Sequence, residues 1–241
     1  MQAVIVVFGG SGHGKDALSD MVSEELQELM TPGMRGDPPS VLRCAFADPL
    51  KTVAMHLVGM PREVAYGNQQ IKLSWTAYRR SAREILQVIG TEIGRVMFDR
   101  DIWVDGLARV VLSQPPRVSF AIVSDGRFWN ERELGARLAG IPVRRVLVWR
   151  PSAPDLGLPP TFGNKVKARL GGLPVVRQIL GLFGVKPTKL MHQSESEVWE
   201  MRRRAQRGEK LFDDLVVNDG TLEDLRAKAK TIAKAVMGKE V

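Results

Sequence analysis

The stretch Ala3–Asp16, AVIVVFGGSGHGKD, decides how the rest of the chain is interpreted. The apolar run Ala3–Phe8 predicts a buried strand, and a helix-like segment begins at Lys15. Between them lie glycine, four residues, glycine and lysine, the spacing of a phosphate-binding loop, with Asp16 where serine or threonine is usual. Glycines let the backbone approach a ligand, and a helix N-terminus attracts anions. A glycine-rich turn without a ligand is the alternative. The predicted loop consists of Gly9, Gly10, Ser11, Gly12, His13, Gly14, Lys15 and Asp16.

The composition restricts the class of protein. A chain of 241 residues with 44% hydrophobic residues is long enough for one large α/β domain or two small ones. The single cysteine, Cys44, excludes an intramolecular disulfide, and the three histidines add no zinc-ligand cluster, so we expect a cytoplasmic protein. No apolar run is as long as a membrane span, and residues 1–8 lack the marks of a cleaved signal. We therefore expect a soluble, unprocessed protein with no membrane partner.

The charge favours anionic partners. The formal net charge is +8 and the sequence pI is about 9.9, which suits nucleic acid, acidic lipid and nucleotides alike. The sequence contains no zinc finger, RNA-recognition signature or other nucleic-acid module. Nucleic acid stays open as a partner, and small-molecule nucleotides are favoured over it.

Strands alternate with helices along the chain, which predicts an α/β fold with a parallel sheet covered on both faces. The expected strands are Ala3–Phe8, Val41–Phe46, Val118–Val123, Arg145–Trp149 and Leu215–Val217. Helices are expected over Lys15–Met30, about Asp48–Val58, about Tyr78–Met97, about Arg100–Leu112, about Asn130–Leu138 and from Thr221 to about Val236, with residues 59–79 as a mobile connection. We expect one domain over residues 1–241, with a core of 1–150 and 211–241, a helical region of about 48–113 and a basic excursion of about 151–210.

Polar side chains directly follow several apolar runs, where the carboxyl ends of parallel strands would place a ligand. These residues are Lys15, Asp48, Asp125, Arg150 and Asn218. Asp125 stands where a carboxylate could hold Mg²⁺, and helix capping is its alternative role. Asp16 could be a second carboxylate near the metal, or it could cap the helix or pair with a cation.

Three arginines are candidates for binding phosphate, since a guanidinium binds phosphate through two parallel hydrogen bonds. They are Arg83, Arg127 and Arg150, with surface ion pairs as the alternative. The helix predicted from Tyr78 carries an apolar stripe and a second stripe with Arg83 and Gln87, which could face a substrate. A loop, Mg²⁺ and arginines are what phosphoryl transfer requires. The glycine-rich motif lacks the later acidic residue of a dinucleotide-binding unit, which disfavours dehydrogenase chemistry.

Taken together, several stretches resemble the bacteriophage deoxynucleoside monophosphate kinases. The ending Gly14-Lys15-Asp16 matches that family's loop, aspartate included. The other matches, in the same order along the chain, are Phe46–Lys51, Arg83 with Leu86–Glu92, Phe98–Arg100 with Trp103-Val104, Asp125–Arg127 with Glu131, Arg150-Pro151, His192–Glu195 and Val217–Glu223. They span nearly the whole chain, so the resemblance is more specific than the loop alone.

The resemblance implies an adenylate-kinase-like P-loop fold of three layers with about five parallel strands. It implies Mg²⁺-dependent phosphoryl transfer from ATP to a deoxynucleoside monophosphate, in the host cytoplasm if the protein is phage-encoded. The implied catalytic residues are Lys15, Asp125, Arg127 and Arg150, with Asp16 and Asp125 at the metal. The implied monophosphate side contains Asp48, Lys51, Arg83, Gln87, Asp99, Arg100 and Trp103. Asn218, Asp219 and Gly220 would lie near the adenine of ATP.

The segment between Arg150 and His192 is longer than expected of compact members of that family. We interpret the basic excursion, with His192, Ser194 and Glu195 at its end, as a lid that excludes water from the reaction. A partner contact, a nucleic-acid contact or a solvated insertion without function are the alternatives. Two other functions stay open: a P-loop kinase of another small metabolite, resembling dephospho-coenzyme A kinase, and a nucleotide-dependent nucleic-acid-binding protein. The sequence leaves open which base is accepted and whether the protein is a homodimer.

Overall fold

Five parallel strands form the centre of the structure, a computed structural model that describes residues 1–31, 39–153 and 193–238. The strands of the described residues are β1 (Ala3–Phe8), β2 (Ser40–Cys44), β3 (Thr76–Ala77), β4 (Arg80–Ser81), β5 (Val118–Gly126), β6 (Val143–Trp149) and β7 (Asp214–Val217). β3 and β4 form a separate antiparallel hairpin, and the other five make the central sheet.

The strand order across the central sheet is β2-β5-β1-β6-β7. β1 therefore lies between β5 and β6, and its last residue, Phe8, is in register with Gly126 and Leu147. Because all five strands are parallel, the residues after β1, β5, β6 and β7 emerge at one edge of the sheet. The loop that follows β1 lies at the centre of this edge. The predicted α/β class and five-stranded parallel sheet are confirmed.

Helices cover the sheet and form a separate region beside it. The α-helices are α1 (Lys15–Met30), α2 (Ala47–Val58), α3 (Arg62–Ala65), α4 (Gln69–Ser74), α5 (Ala82–Gln87), α6 (Ile102–Leu112), α7 (Gln193–Gln206) and α8 (Leu222–Val236). A π-helix spans Val88–Phe98 and a 3₁₀ helix spans Trp129–Arg137. No helix in the described part of the chain has the length and apolar character needed to cross a membrane.

Two apolar clusters enclose the sheet in three layers. On one face α1 and α8 bury Leu18 and Ile232 in the same cluster as Ile5 of β1. On the other face α6, α7 and the 3₁₀ helix contribute Leu107, Met201 and Leu134, among others, to a cluster that includes Val6. Alternate residues of β1 thus point into opposite clusters, as the two-residue period of a strand requires.

The helical region between β2 and β5 has its own small core. Ala54, Met60, Ile85, Ile89 and Trp103 are buried together there. Residues 59–79 were predicted to be a mobile connection, whereas the structure forms α3, α4 and β3 within that stretch. The short elements escaped prediction because each is too short to show a helical or strand period.

The single helix predicted over Tyr78–Met97 is divided in the structure. Tyr78 and Arg79 have positive φ angles of 51° and 60°, since they turn the β3–β4 hairpin. α5 begins only at Ala82, where the Ser81 hydroxyl accepts a hydrogen bond from Glu84 N and the Glu84 carboxylate accepts one from Ser81 N. The segment after α5 is a π-helix rather than an α-helix. The helix predicted over about Asn130–Leu138 is likewise a 3₁₀ helix.

The predicted basic excursion lies partly outside the described residues, because positions 154–192, with His192, are not described. Its last part is α7, whose buried residues Val198 and Met201 belong to the same core cluster as Leu147 of the sheet. The hydrophobic core therefore includes residues that sequence analysis assigned to the excursion.

Candidate functional site

The loop after β1 has the backbone geometry of a phosphate cradle. Gly12 and Gly14 have φ angles of +78° and +93°, in the region that side chains other than glycine rarely adopt. A Cβ atom at Gly9 would lie 2.6 Å from the Val148 carbonyl oxygen, and one at Gly14 would collide with the Asn218 amide. Close packing therefore requires glycine at Gly9 and Gly14, and backbone conformation requires it at Gly12 and Gly14.

Lys15 is the buried cation of this loop, with 7% of its surface exposed. Its Nζ donates a hydrogen bond to the Gly10 carbonyl oxygen at 2.6 Å, which curls the side chain back over the loop. Burial, and secondly the charge of Arg127, lowers the pKa of Lys15 to about 8. The carboxylates of Glu195, Asp16 and Asp125 oppose this shift.

Asn218 connects the end of β7 to the loop. Its side chain is buried, and its Nδ2 donates a hydrogen bond to the His13 carbonyl oxygen at 3.1 Å. The following residues, Asp219 and Gly220, are exposed and line an open cavity of about 470 Å³ together with Lys228. Of the three residues predicted near adenine, Asn218 thus holds the loop, and the other two lie on the surface beyond it.

Asp125 at the end of β5 caps α2. Its Oδ1 accepts a hydrogen bond from Phe46 N at 2.7 Å, and its Oδ2 accepts one from Ala47 N at 3.1 Å. Burial raises the pKa of Asp125, and these two amides oppose that shift. The capping role that sequence analysis weighed against metal binding is thus present. Asp16 is exposed in the first turn of α1.

The carboxylate of Glu195 lies on the loop that follows β1. It accepts hydrogen bonds from Ser11 N at 3.2 and 3.3 Å, and from Arg127 NH1 at 3.0 Å. A Cβ atom at Gly10 would lie 2.9 Å from the same carboxylate. The first turn of α7 therefore places an anion directly on the phosphate loop.

A cavity of about 550 Å³ adjoins the loop and the helical region. Six predicted site residues line it: Ser11, Arg83, Gln87, Arg127, Ser194 and Glu195. Because Arg83 and Gln87 both line the cavity, the stripe of α5 that carries them faces it. Arg83 NH1 also donates a hydrogen bond to Gln69 Oε1 at 2.7 Å. Ser11 and Arg127 belong to the loop edge and to the cavity wall at once.

Seven further lining residues were not among the predicted site residues: Leu50, Gln69, Leu86, Gly90, Thr91, Arg95 and Phe128. Arg95 is the most informative of them, because its guanidinium lies 4.0 Å from the centre of the Phe128 ring and 3.1 Å from Glu131 Oε1. Arg95 escaped prediction because the pattern predicts an α-helix here, and a π-helix places residues on other faces. The glycines Gly90 and Gly94 were the available signal, since glycine within a helical pattern indicates close packing or function.

Several residues predicted for the monophosphate side do not line the cavity. Asp48 Oδ2 accepts a hydrogen bond from Ala45 N, and its Oδ1 lies 3.6 Å from Lys51 Nζ. Asp99 accepts one from Asp101 N at 2.7 Å. Trp103 is buried in the core of the helical region, and Arg100 is exposed.

Arg150, predicted as catalytic, follows β6 at the same edge of the sheet as the loop. It is partly buried and is not among the residues that line the 550 Å³ cavity. The structure therefore brings Lys15, Arg127 and Glu195 together and leaves Arg150 at the periphery of the described site.

No known family model matches the sequence, and no curated protein matches it. Similar solved structures include a sugar kinase from Janibacter sp. HTCC2649, 16% identical with a TM-score of 0.37 over 98% of each chain. Chaetomium thermophilum Kti12 in complex with ADP-AlF3 is 12% identical, with a TM-score of 0.40 over 97% of this chain and 98% of that chain. Dephospho-CoA kinase from Campylobacter jejuni is 13% identical, with a TM-score of 0.43 over 99% of each chain. Similarity at this level does not identify a substrate.

Proposed function

We propose that the protein transfers a phosphoryl group from ATP to a deoxynucleoside monophosphate. The observation that carries the proposal is the shared wall between the phosphate loop and the 550 Å³ cavity, formed by Ser11 and Arg127. A donor phosphate on the loop and an acceptor in the cavity would meet at this wall. Phosphoryl transfer depends mainly on such positioning and on charge neutralisation.

On the donor side, the loop supplies backbone N–H groups and the ammonium group of Lys15. Lys15 Nζ is held by the Gly10 carbonyl oxygen and can exchange this bond for a phosphate oxygen. Because the group is buried, its charge is weakly screened and stabilises negative charge that develops on the transferred phosphate. Arg127 adds a second cation at the same place.

Mg²⁺ would be held by Asp16 and Asp125, and it would supply charge neutralisation of the donor phosphates. Both carboxylates raise the pKa of Lys15, so both lie within Coulombic range of its ammonium group. Carboxylate oxygens are the donors that Mg²⁺ prefers, and one or two of them suffice when phosphates complete the shell.

On the acceptor side, the cavity supports a ligand with an anionic end and a polar, partly apolar body. Arg83, Arg95 and Arg127 provide cations for a phosphate group, and their planar groups bind two oxygens at once. Amide, hydroxyl and apolar groups for the sugar and base come from Gln69, Gln87, Thr91, Leu86 and Phe128. The volume falls within the range of small-molecule sites. The deoxynucleoside monophosphate is the acceptor that the sequence resemblance favours.

A coupled assay of ADP formation with ATP, Mg²⁺ and each deoxynucleoside monophosphate in turn tests the proposal. We expect turnover with at least one of them. Lys15→Ala should lose that turnover while its circular dichroism spectrum shows that the fold is retained. Absence of turnover on every deoxynucleoside monophosphate by folded protein would refute it.

The same assay with dephospho-coenzyme A separates the proposal from the other kinase considered. Turnover with that acceptor alone would assign the cavity to a different metabolite. Steeply salt-dependent DNA binding that survives in Lys15→Ala, without turnover on any small acceptor, would favour the nucleic-acid-binding function.

A further inference from the structure

One buried carboxylate contacts two walls of the cavity. Glu131, in the first turn of the 3₁₀ helix, has 2% of its surface exposed. Its Oε2 accepts hydrogen bonds from Arg127 N at 2.7 Å and Phe128 N at 2.9 Å. Its Oε1 accepts one from Arg95 NH2 at 3.1 Å. Glu131 therefore binds the segment that carries Arg127 and, at the same time, a guanidinium from the π-helix.

Helix capping alone does not account for this arrangement. Capping the 3₁₀ helix occupies only Oε2, and an uncharged side chain could supply that acceptor. Burying a carboxylate is costly unless it is paired and hydrogen-bonded. Burial, with the charge of Asp125 added, raises the pKa of Glu131, and the backbone amides of Arg127 and Phe128 oppose this shift together with Arg95. The second oxygen is committed to Arg95.

Arg95 retains donors for a ligand. Its NH1 lies 3.4 Å from the Gly90 carbonyl oxygen, which is a long contact, and its buried Nε has no hydrogen-bond partner among the described residues. The guanidinium is stacked on the Phe128 ring and lines the cavity. Glu131 fixes both partners of this stack, since it binds the guanidinium and the backbone amide of Phe128.

We propose that Glu131 is a positioning residue that holds the Arg95 guanidinium and the backbone of Arg127 in place, and that Arg95 contacts the anionic group of the acceptor. The inference rests on the proposed function, in which the cavity receives the acceptor. It gives a role to Glu131, which the proposed function does not use. Glu131 acts only through the two arginines and does not itself touch substrate.

Steady-state kinetics of Glu131→Gln test the positioning role. Glutamine keeps the size and one oxygen acceptor but presents an uncharged amide to Arg95. We expect kcat/KM for the acceptor to fall about tenfold or more, with the KM for ATP changed by less than about threefold. Arg95→Met should give a similar loss, Arg95→Lys a smaller one, and the double variant Glu131→Gln/Arg95→Met little more than Arg95→Met alone.

Arg137→Gln is the matched control. Arg137 lies on the same 3₁₀ helix and forms ion pairs with Asp101 and Asp105, away from the cavity. We expect it to lower the unfolding temperature while leaving the acceptor KM within about twofold of the wild type. If Glu131→Gln behaves like this control, Glu131 is only a helix cap and the proposal is overturned.

Calorimetric titration with pyrophosphate separates this inference from the proposed function. The inference can hold even if no deoxynucleoside monophosphate is phosphorylated. It is supported if Glu131→Gln and Arg95→Met lose pyrophosphate binding while Lys15→Ala and Arg137→Gln keep it. Binding lost only in Lys15→Ala places the anion on the loop and overturns it. Absence of binding to the wild type overturns it as well.

Discussion

Lys15 lies in the phosphate loop with its ammonium group 2.6 Å from the Gly10 carbonyl oxygen and 7% of its surface exposed. Burial, and secondly the charge of Arg127, makes the charged form of Lys15 costly, so its pKa falls to about 8 from the ordinary 10.5. A buried charge that lowers the stability of the fold and has a shifted pKa is typical of functional sites. The lowered pKa of Lys15 therefore makes the stability of the protein depend on pH.

We predict that Lys15→Met is more stable than the wild type at pH 7 and that the gap closes between pH 8 and 10.5. In that window the unfolded chain binds the lysine proton and the native chain releases it, so wild-type stability rises relative to the variant. Urea unfolding of both proteins at several pH values measures the gap. A gap that stays constant with pH would contradict the assigned burial of the charge.

The Glu195 carboxylate accepts hydrogen bonds from Ser11 N and Arg127 NH1, so under the proposed function we expect it to compete with phosphate for these donors. Glu195→Gln keeps the side-chain size and removes the charge that must be displaced. We expect its Kd for ATP to fall by about fivefold, consistent with a charge-assisted hydrogen bond of roughly 1 kcal/mol net. Glu197→Gln, two residues further along α7, is the control. Weaker ATP binding in Glu195→Gln would show instead that Glu195 supports the nucleotide.

The strand, loop and helix at the start of the chain were predictable to the residue, because local chemistry determines them. β1 and α1 have the predicted bounds, and Gly12 and Gly14 adopt conformations that only glycine takes readily. The π-helix was not predictable, since it depends on a distant side chain. Trp103 Nε1 donates a hydrogen bond to the Gly90 carbonyl oxygen at 2.8 Å, and its ring packs on Gly94.

The candidate site follows the same division between local and tertiary causes. Arg83, Gln87 and Arg127 were identified from strand ends and helix stripes, and they do line the cavity. Arg95 and Glu131 required tertiary structure, because they lie on different elements and meet only in the fold. Sequence spacing carries no information about a pair that is 36 positions apart.

Gly94→Ala tests the contact that accompanies the π-helix. A Cβ atom there would lie 2.5 Å from the Trp103 ring. We expect a loss of about 1–3 kcal/mol in the free energy of unfolding, as for overpacked cores, and a raised acceptor KM because Arg95 follows directly. Gly135→Ala, where the nearest atom would be 3.4 Å away, is the matched control and should change little. Equal effects of the two substitutions in urea unfolding would contradict the packing assigned to Gly94.

The fold as a unit places a phosphate loop at the centre of the sheet edge and a separate helical core beside it. The cavity between these parts is lined from both, by Ser11 and Arg127 on one side and Arg83 and Gln87 on the other. A parallel sheet with its site at the carboxyl ends of the strands produces this arrangement. The net charge of +8 is consistent with phosphorylated ligands and does not select among them.

Ligand binding should stabilise the folded protein. We expect ATP with Mg²⁺ at about 100 times its Kd to add roughly 2.7 kcal/mol, which corresponds to an unfolding temperature about 5–10 °C higher. The shift should be largely absent in Lys15→Met. Differential scanning fluorimetry measures this rise in unfolding temperature. Equal rises in both proteins would show that the nucleotide does not bind at the loop.

The most direct test follows the label from γ-³²P-labelled ATP in the presence of Mg²⁺ and each deoxynucleoside monophosphate. The proposed function predicts that wild-type protein moves the label onto at least one deoxynucleoside monophosphate, giving a labelled diphosphate, and that Lys15→Ala does not. Label that stays in ATP, or appears only as inorganic phosphate, with every deoxynucleoside monophosphate would contradict it.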